Sequence, residues 1–213
     1  MKYFFTLFLS TVLYLNVSGQ IYGSAAGSYN TYHLHQKKST PAIQLKGGYN
    51  IRKKISTFIG YSYVMPIKIT ESIDGNKIDE THSFQNITAG ANLHLFGRTN
   101  SGFSIYFPIA ASYVLYNYKT TATGTDSDDI LDGNDYTLNF GIALHARIGR
   151  PYLFTEAVAC IPRGEYNTRD GAVGPENPIP FHKFISFGIR LPFGDEEGGG
   201  SGKKSNFNRE NIF

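Results

Sequence analysis

The sequence predicts an all-β protein, an eight-stranded antiparallel up-and-down transmembrane β-barrel with a cleaved signal peptide. Three observations lead to this prediction. Aromatic residues, all of them Tyr or Phe, make up 15 % of the chain, and glycine occupies 23 of its 213 positions. Apolar and polar residues alternate along eight segments, and the links between these segments alternate in length. This composition and this period favour strands and turns over long helices.

The amino terminus has the parts of a signal peptide. Lys2 precedes an apolar stretch at positions 3–15, and the small residues Ser18 and Gly19 follow it. The apolar stretch is shorter than the roughly 20 residues that a transmembrane helix needs. We therefore expect a signal peptide at 1–19, a barrel at 20–194 and a flexible, Gly-rich periplasmic tail at 195–213. Cys160 is the only cysteine, which excludes an internal disulfide.

The eight segments have the period-two alternation of β-strands. The predicted strands are 21–29, 42–51, 55–70, 85–96, 103–118, 136–148, 152–161 and 184–193. Short links at 52–54, 97–102 and 149–151 alternate with long ones at 31–41, 71–84, 119–135 and 162–183. Outer-membrane barrels have short periplasmic turns and long extracellular loops. The pattern therefore predicts an integral outer-membrane location with extracellular long loops and periplasmic termini.

The charged residues follow the same division. Of the 17 Asp and Glu residues, only Glu156 lies inside a predicted strand. Strands in contact with lipid are expected to lack carboxylates, so this distribution favours a membrane barrel. The short links carry only basic charge, at Arg52, Lys53, Lys54, Arg98 and Arg150.

The two faces of the strands differ in size and polarity. In the second strand, Ile43 and Leu45 alternate with Gln44, Lys46 and Gly48, and the other strands repeat this contrast. A water-facing exterior is normally rich in Lys, Glu and Asp, whereas the polar set here is mostly small and uncharged. We therefore expect the polar set inside, where the lumen of an eight-stranded barrel is filled by side chains and leaves no open pore.

Four charged residues point into this lumen by strand parity: Lys46, Arg147, Glu156 and Arg190. An isolated buried charge costs several kcal/mol unless it is paired. The sequence therefore predicts an ion network centred on Glu156 that closes the lumen. A proton path or a ligand contact is the alternative reading, because charges within a membrane also mark functional sites.

The closing strand reads Phe184-Ile-Ser-Phe-Gly-Ile-Arg-Leu-Pro-Phe193. With the signal peptide and the alternating strands, it resembles the small outer-membrane β-barrel proteins of Bacteroidota, in an eight-stranded pattern like that of OmpA and OmpX. The resemblance covers residues 20–194 and is one of pattern, without a diagnostic motif. It implies an outer-membrane location, and such families include adhesins and secretion or conjugation accessories. It carries over no catalytic residue.

The third and fourth segments extend beyond the roughly 9 to 11 residues needed to cross a bilayer, and they meet at Asp74-Gly75-Asn76. We expect a rigid hairpin above the membrane. Ile67, Ile69 and Ile73 are predicted to be exposed on it and to dock a protein partner, with packing against neighbouring loops as the alternative.

Two further groups of residues are candidates for chemistry. Asp126, Asp128, Asp129 and Asp132 offer calcium-type ligands, but their spacing does not fit an EF-hand, and a solvated acidic loop is the alternative. His94 and His145 point inward, yet neither a nucleophile elbow nor a matching carboxylate accompanies them. We therefore predict no catalytic site, no metal and no cofactor.

Together these features predict a non-enzymatic outer-membrane barrel that is a structural or accessory subunit of a cell-envelope assembly, of the secretion, conjugation or outer-membrane biogenesis type. Its loops or tail are expected to make the contacts. The predicted partners are outer-membrane lipids and a membrane or periplasmic protein, and not nucleic acid. The alternatives are a surface enzyme acting on lipid or peptide, a narrow channel and a soluble lipocalin-like carrier.

Overall fold

The computed structural model describes residues 20–34, 37–73, 76–122, 128–162, 168–169, 172–173 and 180–193. The predicted signal peptide at 1–19 and the tail at 195–213 lie outside the described residues and stay predictions. No helix in the described part of the chain is long and apolar enough to cross a membrane.

Eight long strands form a closed antiparallel barrel in the order β1-β10-β7-β6-β5-β4-β3-β2. The strands are β1 (Ile21–His33), β2 (Lys37–Arg52), β3 (Ile55–Ile73), β4 (Asn76–Phe96), β5 (Phe103–Ala122), β6 (Asp128–Arg147), β7 (Tyr152–Pro162) and β10 (His182–Phe193). The short strands β8 (Thr168–Arg169) and β9 (Ala172–Val173) pair with each other between β7 and β10. The predicted eight-stranded antiparallel barrel is therefore confirmed.

The alternation within each strand decides which side chains face the lumen. In β10, Ser186 and Arg190 are 0 % and 5 % exposed, whereas Ile185, Phe187 and Ile189 between and beside them are 48 % to 65 % exposed. The inner face also needs glycine where the strands lie close together. A Cβ at Gly90 would sit 2.4 Å from the carbonyl oxygen of Ile109. The prediction that the small polar set faces inward is thus confirmed.

The outer surface of the barrel is apolar on every long strand. Its large exposed residues include Ile21, Leu45, Ile59, Ile87, Phe107, Leu138, Ile161 and Phe187. A monomeric soluble protein rarely exposes a continuous apolar surface of this kind. Contact with lipid hydrocarbon accounts for this apolar surface. A closed barrel satisfies its backbone hydrogen bonds internally, so it can span a bilayer.

Strands β3 to β6 are much longer than the others. They contain 19 to 21 residues, against 11 to 16 in β1, β2, β7 and β10. The prediction of a loop over 119–135 is wrong for most of that range, because β5 continues to Ala122 and β6 begins at Asp128. Polar residues can form strands there since, beyond the bilayer, neither face has to contact hydrocarbon.

A β-bulge in β3 corrects the predicted exposure of Ile67 and Ile69. Val64 pairs with Phe84 and Ile67 with His82, so Met65 and Pro66 lie opposite a single residue of β4. Such an insertion reverses which face the following residues occupy. Ile67 and Ile69 are therefore 4 % and 1 % exposed, and the expectation that they form an exposed docking patch is wrong. The side chain of Ile73 lies outside the described set.

Candidate functional site

A charged network lies inside the lumen, about midway along β7. Lys46 of β2 forms an ion pair with Glu156 of β7, which is 2 % exposed. The hydroxyl of Tyr106 in β5 donates to Oε1 of Glu156 at 3.1 Å, and Nη2 of Arg190 in β10 donates to the same hydroxyl at 3.3 Å. Three of the four predicted members, Lys46, Glu156 and Arg190, thus come together through strands that are distant in sequence.

Aromatic rings surround the two cations of this network. The guanidinium carbon of Arg190 lies 4.5 Å from the ring centre of Tyr22 and 5.4 Å from that of Tyr106. The Lys46 ammonium lies 5.2 Å from the ring centre of Phe58. Cation–π contacts of this kind gain strength when they are desolvated. The rings therefore help to hold two cations around one carboxylate in a buried place.

The prediction that Arg147 belongs to this network is wrong, because the register places it too far along the sheet. Arg147 pairs with Tyr152, four residues from Glu156, which is about 13 Å along a strand. Its Nε donates to the carbonyl oxygen of Gly149 at 2.8 Å, and its guanidinium lies over the Tyr152 ring. Arg147 therefore stabilises the β6–β7 turn.

A small polar cavity lies beside the network. Its volume is about 40 Å³, and its walls include Asn30, Gln44, Asn86 and Asn139 together with Glu156. A volume of this size holds a few water molecules at most, since a cavity needs about 10 to 15 Å³ to hold one water.

An apolar cluster caps the lumen on the side away from the short turns. Its buried members are Tyr32, Leu34, Ala42, Val64, Ile67, Ile69, Phe84 and Val114. Tyr32 stacks on Phe84 with ring centres 4.8 Å apart and on His182 at 4.7 Å. The bulge that turns Ile67 and Ile69 inward thus supplies part of this cap. The small polar cavity lies between this cap and the network, since its walls include His182, which stacks on Tyr32, as well as Lys46 and Glu156.

The inward histidines pack in an aromatic group near the short turns. His94 Nδ1 lies 2.7 Å from the Ser104 hydroxyl, and the His94 and His145 rings are 5.6 Å apart between Tyr106 and Tyr152. The described residues contain no group of three His, Cys, Asp or Glu side chains that could hold a metal ion.

The aspartates of the predicted calcium loop have a different setting from the one expected. Asp128, Asp129 and Asp132 belong to β6, and their side chains lie outside the described set. Asp126 lies outside the described residues altogether. The described residues leave the calcium alternative untested, and its last three aspartates belong to a strand and not to a loop.

Beyond the rest of the barrel, β3 to β6 continue as a protruding sheet of four strands. The β2–β3 ladder ends at Ala42 opposite Val64, and the β6–β7 ladder ends at Thr137 opposite Pro162. The ladders between β3, β4, β5 and β6 continue as far as Ile73 in β3 and Asp128 in β6. Among the described strands, the protruding parts of β3 and β6 therefore pair on one side only and are the edges of this sheet.

The outward face of the protruding sheet is polar. Lys68, Thr70 and Ser72 of β3 are exposed, and Thr70 donates to the Asp79 carboxylate at 2.5 Å. This hydrogen bond, together with one from Lys77, lowers the pKa of the Asp79 carboxyl. Asp79 therefore stays ionised, and the sheet presents fixed charges of both signs above the apolar belt.

Several solved structures resemble this barrel. No protein-family model and no curated protein matches the sequence. A major outer membrane protein from Thermus thermophilus matches with a TM-score of 0.57 at 9 % identity, over 81 % of this chain and 99 % of that one. Ail, the attachment invasion locus protein of Yersinia pestis, matches with 0.51 at 14 %, over 82 % and 97 %. The fold is that of the small outer-membrane β-barrels.

A third structure, the N-terminal β-barrel domain of Pseudomonas aeruginosa OprF, matches with a TM-score of 0.51 at 12 % identity. The match spans the whole of that domain and 83 % of this chain. At such low identities the likeness concerns the backbone alone.

Sequence reasoning missed the aromatic members of the lumen network. Tyr22 and Tyr106 both occupy inward positions in their strands and are 2 % and 0 % exposed. The Tyr22 ring lies over Gly48, where a Cβ would come within 2.2 Å of it. Large aromatic residues on a face that is otherwise small and polar were the available signal, because their hydroxyl groups need partners inside.

Proposed function

We propose that this protein is a non-enzymatic integral outer-membrane barrel that binds another cell-envelope component through its protruding sheet. The observation that carries the proposal is the length of β3 to β6, whose ladders continue past the last pairs with β2 and β7. A long rigid sheet beyond the bilayer is not needed to close the barrel, so it serves a contact outside the membrane.

The edges of the protruding sheet suit a protein partner. Edge strands present backbone N–H and C=O groups that can pair with an added strand. In this proposal the long connections face the outside of the cell and the short turns face the periplasm, as in other barrels of the class. The Glu156 network and the apolar cap lie inside the lumen, which supports a surface role over a channel.

Shortening the sheet tests the proposal. One variant replaces 67–81 and 118–131 by Asn-Gly turns, which keeps the Val64–Phe84 and Asn117–Asp132 pairs at the new ends. We expect this variant to insert and fold, and to lose the partner that chemical crosslinking and a mild-detergent pull-down recover with the unaltered protein from native outer membranes.

A matched control removes a different connection, residues 163–179, and is expected to keep the partner. Folding of each variant is checked by the shift in gel mobility between heated and unheated samples. Recovery of the same partner by the shortened variant contradicts the proposal. The proposal is also contradicted if the unaltered protein recovers the same proteins as an unrelated outer-membrane barrel.

A further inference from the structure

Basic side chains gather at the end of the barrel that carries the short turns. This basic rim consists of Arg52, Lys53, Lys54, Arg98 and Arg150, all of them exposed. The carboxylates of the described residues lie elsewhere, with Glu156 in the lumen and the others in the protruding sheet. The described part of this end is therefore purely cationic.

Backbone hydrogen bonds join the three turns that carry the basic rim. Thr99 N donates to the carbonyl oxygen of Lys53 at 2.9 Å, and His94 N donates to that of Lys54 at 2.8 Å. Arg147 N donates to the carbonyl oxygen of Gly102 at 2.8 Å. Because these hydrogen bonds fix neighbouring turns to one another, the backbone that carries the basic side chains is held in one arrangement.

The basic rim adjoins the lipid-facing surface directly. Arg98 follows Phe96 by two residues, and Arg150 follows Ile148 by two, while Phe96 and Ile148 are 67 % and 57 % exposed. Two residues of chain span at most about 7 Å. The cationic groups therefore lie at the depth of lipid headgroups, within reach of a phosphate whose acyl chains contact the apolar belt.

We propose that the basic rim binds the headgroups of anionic phospholipids in the adjoining leaflet. Arg and Lys form strong charge-assisted hydrogen bonds with phosphate oxygens, and clusters of them recognise anionic lipids. The acyl chains lie against Leu95, Phe96 and Phe103, which are 46 % to 67 % exposed. The proposal rests on the membrane location described above and is independent of the role of the protruding sheet.

Native mass spectrometry of the folded protein tests it. The protein is released from micelles of a neutral detergent that contain equal amounts of phosphatidylglycerol and phosphatidylcholine, and the lipids that remain bound are counted. We expect the unaltered protein to retain phosphatidylglycerol at least about five-fold over phosphatidylcholine, the ratio expected from one basic side chain near a membrane. The rim variant Arg52→Gln/Lys53→Gln/Lys54→Gln is expected to lose this preference.

A distal variant with the same loss of charge, Lys37→Gln/Lys38→Gln/Lys68→Gln, alters the opposite end and is expected to keep the preference. If the rim variant fails to fold, Lys53→Gln/Arg98→Gln takes its place, with Lys37→Gln/Lys68→Gln as the distal variant of equal charge loss. The proposal is overturned by no preference in the unaltered protein, by a preference that survives in the rim variant, or by equal losses in the rim and distal variants. No partner protein is present, so failure here is separate from failure of the proposed function.

Discussion

Replacing Glu156 by Gln is expected to destabilise the folded barrel by about 3 to 5 kcal/mol, the range for removing one partner of a buried ion pair. Gln keeps the acceptor for the Tyr106 hydroxyl and the size of the side chain, but it leaves Lys46 and Arg190 without a counter-charge. The free energy of unfolding is measured by urea titration in detergent micelles, followed by gel mobility and circular dichroism. The fold itself is expected to remain intact.

The double variant Lys46→Met/Glu156→Gln returns the formal charge of this group to its original value. It is expected to recover part of the lost stability, because buried charges can be exchanged for apolar groups at little cost. Asp79→Asn removes a carboxylate from the exposed sheet and is the control, with little change expected. A Glu156→Gln variant as stable as the unaltered protein would show that Glu156 does not balance the lumen cations.

Replacing Ile59 by Arg is expected to destabilise the barrel by about 2 to 4 kcal/mol in a lipid bilayer. Ile59 lies midway along the part of β3 that pairs with β2, and its side chain is 62 % exposed. At an exposed site in water the same change would alter stability by no more than about 0.5 kcal/mol. The free energy of unfolding is measured in vesicles of phosphatidylcholine by reversible denaturant titration.

Ser72→Arg is the matched control for Ile59→Arg. It places the same side chain at an exposed position of the same strand, but on the protruding sheet, and is expected to have an effect within about 0.5 kcal/mol. Equal small effects at both positions would contradict contact between the outer face and hydrocarbon. They would instead favour the soluble lipocalin-like carrier considered from the sequence.

Local pattern was enough to predict the barrel and much of the lumen. Strand parity depends only on alternation along the chain, so it correctly placed Lys46, Glu156 and Arg190 inside and Ile43 and Leu45 outside. The balance of one carboxylate against inward basic residues then indicated a network, because buried charges need partners.

Tertiary pairing decided what alternation could not. The bulge at Met65–Pro66 exists only because β4 places one residue opposite two, and this turned Ile67 and Ile69 from exposed to buried. Arg147 has the predicted parity but the wrong height in the barrel, which only the register across β6 and β7 fixes. Parity is a property of one strand, whereas height, bulges and protruding edges arise from hydrogen bonds between strands that are distant in sequence.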